Sequence, residues 1–359
     1  MGVRWPFLLI AFALTACQPQ ASARVTPSPL PASPPGDLIY VQDPNGPRML
    51  ELDWSGKLRG TISAQGLSSP SPDGSRFIRA TDHTSVEDSR GHVLGTLDAD
   101  LTSYGLSSWA DDDRHICGIV FPSEMGPETG TGSLWIAAPG EKSRTVGPVG
   151  QSGSNPSVAA CSIKNHKAIV AGGLFPHWPP ETTRYLISTG IEVMNLATGA
   201  VEYQHQYPLG YLAGQGIPGV APDWVLVSAS PDGHYVAESG VFNGTTAIRE
   251  LPSGKIVESL HGSVRGFSWD GSRVVVSRWN GGSDYEAELV RWADQKVIWH
   301  RSAFAQSMLA RPDSADVLIG ISGAEGGAPE LVVVNGAGTA TTIVRDALVT
   351  WPCPCPAGP

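Results

Sequence analysis

The chain has 359 residues, with 24 Lys and Arg against 34 Asp and Glu, and its formal net charge is −10. This balance argues against an electrostatic grip on nucleic acid or on anionic lipid. Gly (42 residues) and Pro (30 residues) exceed average use, which argues against a helix bundle. Hydrophobic residues make up 41% of the chain, enough to bury a core, so disorder throughout is excluded.

Residues 1–16 have the pattern of an export signal peptide, with a positive charge at Arg4 followed by an apolar run too short to span a bilayer. The four residues that end at Cys17, Leu-Thr-Ala-Cys, resemble the lipobox of bacterial lipoproteins. The resemblance implies cleavage before Cys17 and lipid attached to its sulfur. We therefore expect an exported domain, anchored to the bacterial cell membrane or outer membrane and facing the periplasm or the exterior. An ordinary signal peptide with a chance cysteine is the alternative.

Residues 17–37 begin with the lipidated cysteine and continue as a stretch rich in Pro, Ala and Ser. Such a composition buries little apolar surface and stays extended. It predicts a tether that holds the following domain a few nanometres from the membrane.

From residue 38 onward, short runs of Val, Ile, Leu and Tyr alternate with turn residues, a pattern typical of β-strands. One Ser-x-Asp-Gly turn followed by an apolar strand recurs at 71–74, 230–233 and 268–271, and weaker copies lie at 109–120, 161–172 and 310–320. Pro at the second turn position and Gly at the fourth suit a type I turn between two strands. Seven further hairpins with polar turns follow these units.

Two hairpins of this kind make four antiparallel strands in about 40 residues, the size of a propeller blade. The repeated units resemble the WD-like repeats of the TolB-type β-propeller family. The resemblance implies an all-β propeller, and the seven hairpins predict a seven-bladed β-propeller over residues 38–352, with six or eight blades or a pair of β-sandwiches as alternatives. We expect the strand at 347–352 to close the ring by joining the first blade, which leaves 353–359 as a tail.

Long segments fall on the face opposite the Asp-Gly turns, where aromatic side chains are common anchors for protein or ligand contacts. The alternative is that these rings only pack the loops against the blades. The candidate binding residues are Phe121, Phe175, His177, Trp178, Tyr185, Tyr211, Trp279 and Tyr285. By contrast, we assign Trp109, Trp269 and Trp351 to the core, because each precedes a turn at the end of an inner strand.

Four cysteines remain after Cys17, an even number that favours disulfides in an oxidising compartment. Cys117 and Cys161 fall in neighbouring blades that could bring them together. Cys353 and Cys355 are compatible with a disulfide or, as a poorer alternative, with a soft metal.

No catalytic constellation stands out in the sequence. The histidines lack zinc-ligand spacing, and no nucleophile elbow is present. The three aspartates at 111–113 lack the ligand pattern of a calcium loop, and we predict a solvated turn there. We therefore expect a monomeric, non-catalytic binding or scaffold module for a protein or envelope ligand, without cofactor or metal. Some hairpins resemble blade ends of quinoprotein propellers, so an extracytoplasmic quinone-dependent dehydrogenase is the alternative.

Overall fold

Runs of β-branched and aliphatic residues, punctuated by turn residues, become 28 β-strands in the described part of the computed structural model. The structure describes residues 38–43, 46–64, 67–80, 84–98, 107–120, 132–149, 156–174, 187–207, 225–240, 244–281, 284–323, 328–345 and 350–351. Within these ranges the one helical segment is the 3-10 turn Trp292–Asp294, and no helix there has the length and hydropathy of a membrane span.

The strands pair into seven four-stranded antiparallel sheets, the blades of a β-propeller. Blades one and two contain β1 (Ile39–Gln42), β2 (Arg48–Leu52), β3 (Leu58–Ser63), β4 (Leu67–Pro70), β5 (Arg76–Ala80), β6 (Thr84–Asp88), β7 (Val93–Thr96) and, in blade one, β28 (Thr350–Trp351). Blades three and four contain β8 (Ser108–Trp109), β9 (Ile116–Val120), β10 (Gly132–Ala137), β11 (Arg144–Val149), β12 (Ser157–Ser162), β13 (Lys167–Leu174), β14 (Ile187–Asn195) and β15 (Val201–Gln206). Blades five to seven contain β16 (Val225–Ala229), β17 (Tyr235–Gly240), β18 (Thr245–Glu250), β19 (Ile256–His261), β20 (Ser263–Phe267), β21 (Arg273–Gly281), β22 (Asp284–Arg291), β23 (Lys296–Arg301), β24 (Ala303–Ala310), β25 (Val317–Gly323), β26 (Glu330–Val334) and β27 (Ala340–Arg345).

The two ends of the propeller meet in blade one. Strand β28 pairs with β1, so that Tyr40 lies opposite Trp351 and Val41 lies opposite Thr350. The sheet order is β28-β1-β2-β3, which confirms both the seven blades and the closing strand predicted from the sequence. Closure in this way leaves β1 without an exposed edge.

The core lies between the blades, and each neighbouring pair of blades shares one buried apolar cluster. The fourth strand of a blade is the outer one, as the exposed side chains of β3, β7 and β15 indicate. Members of the seven clusters, one from each blade of a pair, are Tyr40 and Phe77, Val86 and Ile116, Leu134 and Val170, Ile169 and Val236, Ile248 and Val274, Leu289 and Ile319, and Leu331 and Ile39.

Strand direction alternates within a blade, so the hairpin turns of all blades lie on one face, here called the turn face. The strand ends that lead to the connections between second and third strands and between blades lie on the opposite face, here called the loop face. On the turn face, contacts run from blade to blade: the Tyr40 hydroxyl donates to the Gly74 carbonyl at 2.7 Å, and the Asn165 amide donates to the Asp232 carbonyl at 2.9 Å. These contacts tie neighbouring turns together.

The turn at 111–113, predicted to be solvated, also contributes to these contacts between blades. Asp111 accepts hydrogen bonds from the Ser162 hydroxyl at 2.6 Å and from the Ile163 amide at 2.8 Å, both in the next blade.

The three tryptophans assigned to the core have different outcomes. Trp109 on β8 is buried, as expected. Trp269 is only partly buried, because it occupies the second position of its turn and not the strand before it. Trp351 lies on β28, and its side chain is outside the described part of the structure.

Candidate functional site

Most of the predicted binding face lies outside the described residues. This applies to Phe121, Phe175, His177, Trp178, Tyr185 and Tyr211. It also applies to Cys17, Cys353 and Cys355. Trp279 and Tyr285 are described, and both lie at the loop-face end of blade six.

Trp279 and Tyr285 face each other across a hairpin in blade six. Strands β21 and β22 run on for nine and eight residues, and their register places Trp279 directly opposite Tyr285. Directly paired side chains in an antiparallel ladder lie on the same side of the sheet. The Trp279 side chain is 56% exposed, the most exposed tryptophan among the described residues. The hairpin therefore presents a large aromatic surface to solvent.

Two further residues extend this surface toward the innermost strands. The Tyr285 ring packs edge-on against Phe304 of β24, with 5.1 Å between ring centroids and 76° between ring planes. The guanidinium carbon of Arg265, on β20, lies 4.9 Å from the centre of the same Phe304 ring. Arg265, Trp279, Tyr285 and Phe304 are here called the aromatic–arginine patch, and the patch spans blades six and seven.

Sequence reasoning missed Arg265 and Phe304. Phe304 is the second residue of β24, the innermost strand of blade seven, just after the chain passes from blade six. A search for aromatic residues at the start of innermost strands would have found it. Arg265 lies at an irregularity in the β20–β21 register between Val264 and Gly266. No sequence signal marks that irregularity.

A charged pair lies on the same two strands, on the opposite face of the sheet from Trp279 and Tyr285. Arg278, next to Trp279, lies 3.0 Å from a carboxylate oxygen of the buried Glu288. Burial raises the pKa of Glu288, and the positive charge of Arg278 opposes that rise. Glu286 faces Arg278 in the ladder and adds a second negative charge.

A second buried carboxylate joins blades four and five near the loop face. Glu238 accepts hydrogen bonds from the Tyr207 hydroxyl at 3.0 Å and from Nε of Arg249 at 2.6 Å. Nδ1 of His205 lies 2.7 Å from the same carboxylate. Burial, and then the nearby charge of Glu238, raise the pKa of Tyr207 well above its ordinary value. Both carboxylate oxygens of Glu238 therefore have partners, and the cluster holds blades four and five together.

Cys117 of β9 and Cys161 of β12 form a disulfide that joins blades three and four, with their Cα atoms 6.1 Å apart. Both cysteines are buried within one apolar cluster. Among the residues that the structure describes, no group of three His, Cys, Asp or Glu side chains is arranged to hold a metal ion.

No protein-family model and no curated protein sequence matches the chain. Several solved structures are similar in fold. The dihydro-heme d1 dehydrogenase NirN is 16% identical, with 92% of this chain and 68% of that chain covered and a TM-score of 0.46. BamB from Moraxella catarrhalis is 13% identical over 86% of this chain and 87% of its own, with a TM-score of 0.43. TolB from Acinetobacter baumannii is 14% identical, with a TM-score of 0.39, and the match covers 76% of this chain and 61% of TolB.

Proposed function

We propose that the chain is a lipid-anchored, extracytoplasmic propeller that binds a protein partner through the aromatic–arginine patch. The observation that carries the proposal is the exposed Trp279 ring beside the packed Tyr285, Phe304 and Arg265 side chains. The patch offers ring faces and one positive charge, and the proposal assigns it no catalytic step.

The chemistry of the patch favours a protein partner. Tryptophan, tyrosine and arginine are the residue types that most often dominate the binding energy of protein interfaces. Tyr285 and Phe304 already pack against each other, so they lose little conformational freedom on binding. Trp279 would then bury its ring against the partner, and Arg265 would supply a charge for a carboxylate or a carbonyl group.

The location rests on two independent features. The buried disulfide between Cys117 and Cys161 is of a kind that persists in oxidising compartments. The Leu-Thr-Ala-Cys sequence that ends at Cys17 supplies the anchor, and the Pro-rich residues 18–37 supply the spacer. Two or three acyl chains on Cys17 hold a protein firmly where one would not.

Site-specific crosslinking in intact cells tests the proposal. A photoreactive benzoylphenylalanine at position 285 of the full chain is expected to give one discrete adduct after illumination. Trp279→Ala in the same chain is expected to reduce that adduct about tenfold, because a central aromatic anchor is lost. Leu58→Ala is the matched control, since Leu58 is 55% exposed on the outer strand of blade one. An adduct that Trp279→Ala leaves unchanged contradicts the proposed surface.

The same cells report on the anchor. Cys17→Ala is expected to move the propeller from the membrane fraction to the soluble fraction, whereas Cys355→Ala is expected to leave it with the membranes. A Cys17→Ala chain that stays in the membrane fraction contradicts lipid anchoring.

A further inference from the structure

The turn face carries a cleft between blades three and four, remote in the chain from the aromatic–arginine patch. Its volume is about 340 Å³, within the range of small-ligand sites. Four separate turns line it, two from each blade. Its lining combines apolar side chains on the floor with basic and imidazole side chains on the rim.

The floor of the cleft is apolar and firmly held. Ile136 and Leu196 are buried, and Ile163 packs against them in the cluster that also contains Cys117 and Cys161. The disulfide between these cysteines joins the blades that form the two walls. A site whose walls are covalently linked is largely organised before a ligand arrives.

The rim of the cleft is basic, in a chain whose net charge is −10. Arg144 donates one hydrogen bond to the Leu196 carbonyl at 2.7 Å, which holds its guanidinium over the floor. Lys142 makes no ion pair within the described ranges, although the Asp98 carboxylate lies near enough to be influenced by its charge. His115, in the first hairpin of blade three, and His166, in the first hairpin of blade four, also lie at the rim.

Two carboxylates beside the rim already have partners. Glu141 forms an ion pair with Arg114, and Asp112 bonds to Nδ1 of His115. Arg144 and Lys142 therefore remain as the positive charges that face the cleft.

His166 occupies a position that blades two, five and six give to glycine and that Asp113 occupies in blade three. Its φ is +54°, in the left-handed region, where Gly74, Gly233 and Gly271 stand in the equivalent turns at +68°, +70° and +69°. A residue with a side chain is less stable in this conformation than glycine. Glycine in place of His166 would relieve this conformational cost and would remove a side chain from the lip of the cleft.

We propose that the cleft binds a carboxylate attached to an apolar group. The apolar part lies on Ile136 and Leu196, and the carboxylate meets Lys142 and Arg144, with His166 at the lip, because charge-assisted hydrogen bonds to carboxylates are the strongest that Lys and Arg make. A peptide with adjacent aliphatic and acidic side chains and a free short-chain acid present this same chemistry. The site is independent of the function proposed above.

Binding of two matched pairs of probes to the purified chain tests this site. The pairs are acetyl-Leu-Glu-amide with acetyl-Leu-Gln-amide, and hexanoate with hexanamide. At least one acid is expected to bind about tenfold more tightly than its amide, because the amide lacks the charge. The acid that binds more tightly identifies a peptide or a free acid as the source. If neither acid exceeds its amide, the proposal is wrong.

Variants separate ligand binding from folding. Lys142→Gln is expected to weaken binding of the better acid about fivefold, whereas Lys255→Gln, on the corresponding hairpin of blade five, leaves it unchanged. His166→Gly is expected to raise the urea midpoint of unfolding and at the same time to weaken binding. If His166 is purely structural, His166→Gly would raise the urea midpoint and leave binding unchanged, and that result would overturn the proposal. Equal effects of Lys142→Gln and Lys255→Gln on binding would also overturn it.

Discussion

Asp113 and Asp73 bring two carboxyl groups together where the first turns of blades two and three meet. The Asp73 amide donates to Oδ1 of Asp113 at 2.8 Å, and the Asp73 side chain is itself buried. Burial, and then the negative charge of Asp73, raise the pKa of Asp113 from its ordinary value of 3.8 to about 7. The folded state therefore favours a protonated Asp113. Its contribution to stability is present below pH 4 and is lost as the pH rises through 7.

Asp113→Asn is expected to increase the free energy of unfolding at pH 8 by about 1 to 2 kcal/mol and to change it little at pH 4. The amide keeps the acceptor for the Asp73 amide but removes the charge, and asparagine tolerates the positive φ of 55° at this position. The range is below the full value of the pKa shift because the side chain is partly exposed. Urea unfolding at pH 4, 6 and 8 measures the effect.

Asp112→Asn is the control for Asp113→Asn, with the opposite sign. Burial raises the pKa of Asp112, but hydrogen bonds from His115 and Arg114 outweigh burial and lower it overall. Its stabilising effect is present above its unfolded pKa and is lost on acidification, so Asp112→Asn is expected to destabilise the fold at pH 8. If Asp113→Asn is no more stable than the native chain at pH 8, the assigned repulsion is wrong.

The second hairpin of a blade packs against the outer strand of the blade before it. A glycine with positive φ lies at this contact in several blades, and a Cβ there would collide with the neighbouring strand. The glycines and their neighbours are Gly56 with Ile343, Gly199 with Val146, Gly254 with Tyr203 and Gly338 with Ile298. Close packing of blades thus explains part of the glycine content that the composition revealed.

Gly199→Ala and Gly140→Ala separate the contact from the backbone conformation. Both glycines have nearly the same φ, +72° and +73°, in equivalent hairpins of blades four and three. A Cβ on Gly199 would lie 2.3 Å from the Val146 carbonyl oxygen, whereas a Cβ on Gly140 would meet no atom within 4 Å.

Gly140→Ala is expected to lower the free energy of unfolding by about 1 kcal/mol, and Gly199→Ala by about 3 kcal/mol because overpacking adds to the conformational term. Urea unfolding followed by tryptophan fluorescence measures both. Equal losses in the two variants would mean that blade contact plays no part.

The propeller fold was predictable from the sequence because its signals are local. Each Ser-x-Asp-Gly turn and each alternating strand can be identified within about ten residues, and repetition then predicts blades. The candidate sites are not local. Arg265 approaches Phe304 only because blades six and seven pack together, and His115 shares a cleft with His166 only because two degenerate turns meet across an interface. Such pairs depend on the packing between blades, which the turn signals do not encode.

Ring closure is also a property of the whole molecule, and it depends on strand β28. Its partner strand β1 carries Tyr40, which is 2% exposed, packs edge-on against Phe77 at 4.5 Å and bonds to Gly74. Without β28, the ladder edge of β1 and the clusters on both sides of blade one would meet water. An uncovered strand edge also promotes association between chains.

Deletion of residues 347–359 is therefore expected to lower the free energy of unfolding by about 2 kcal/mol or more, from lost ladder hydrogen bonds and exposed apolar surface. Deletion of 353–359 alone keeps the β1–β28 pairing at Tyr40 and Val41 and is expected to have little effect. Urea unfolding followed by circular dichroism suits the comparison, because the longer deletion removes Trp351. Light scattering should detect association of the longer deletion only. Two deletions of equal stability would mean that the ring holds together through its blade interfaces without the closing strand.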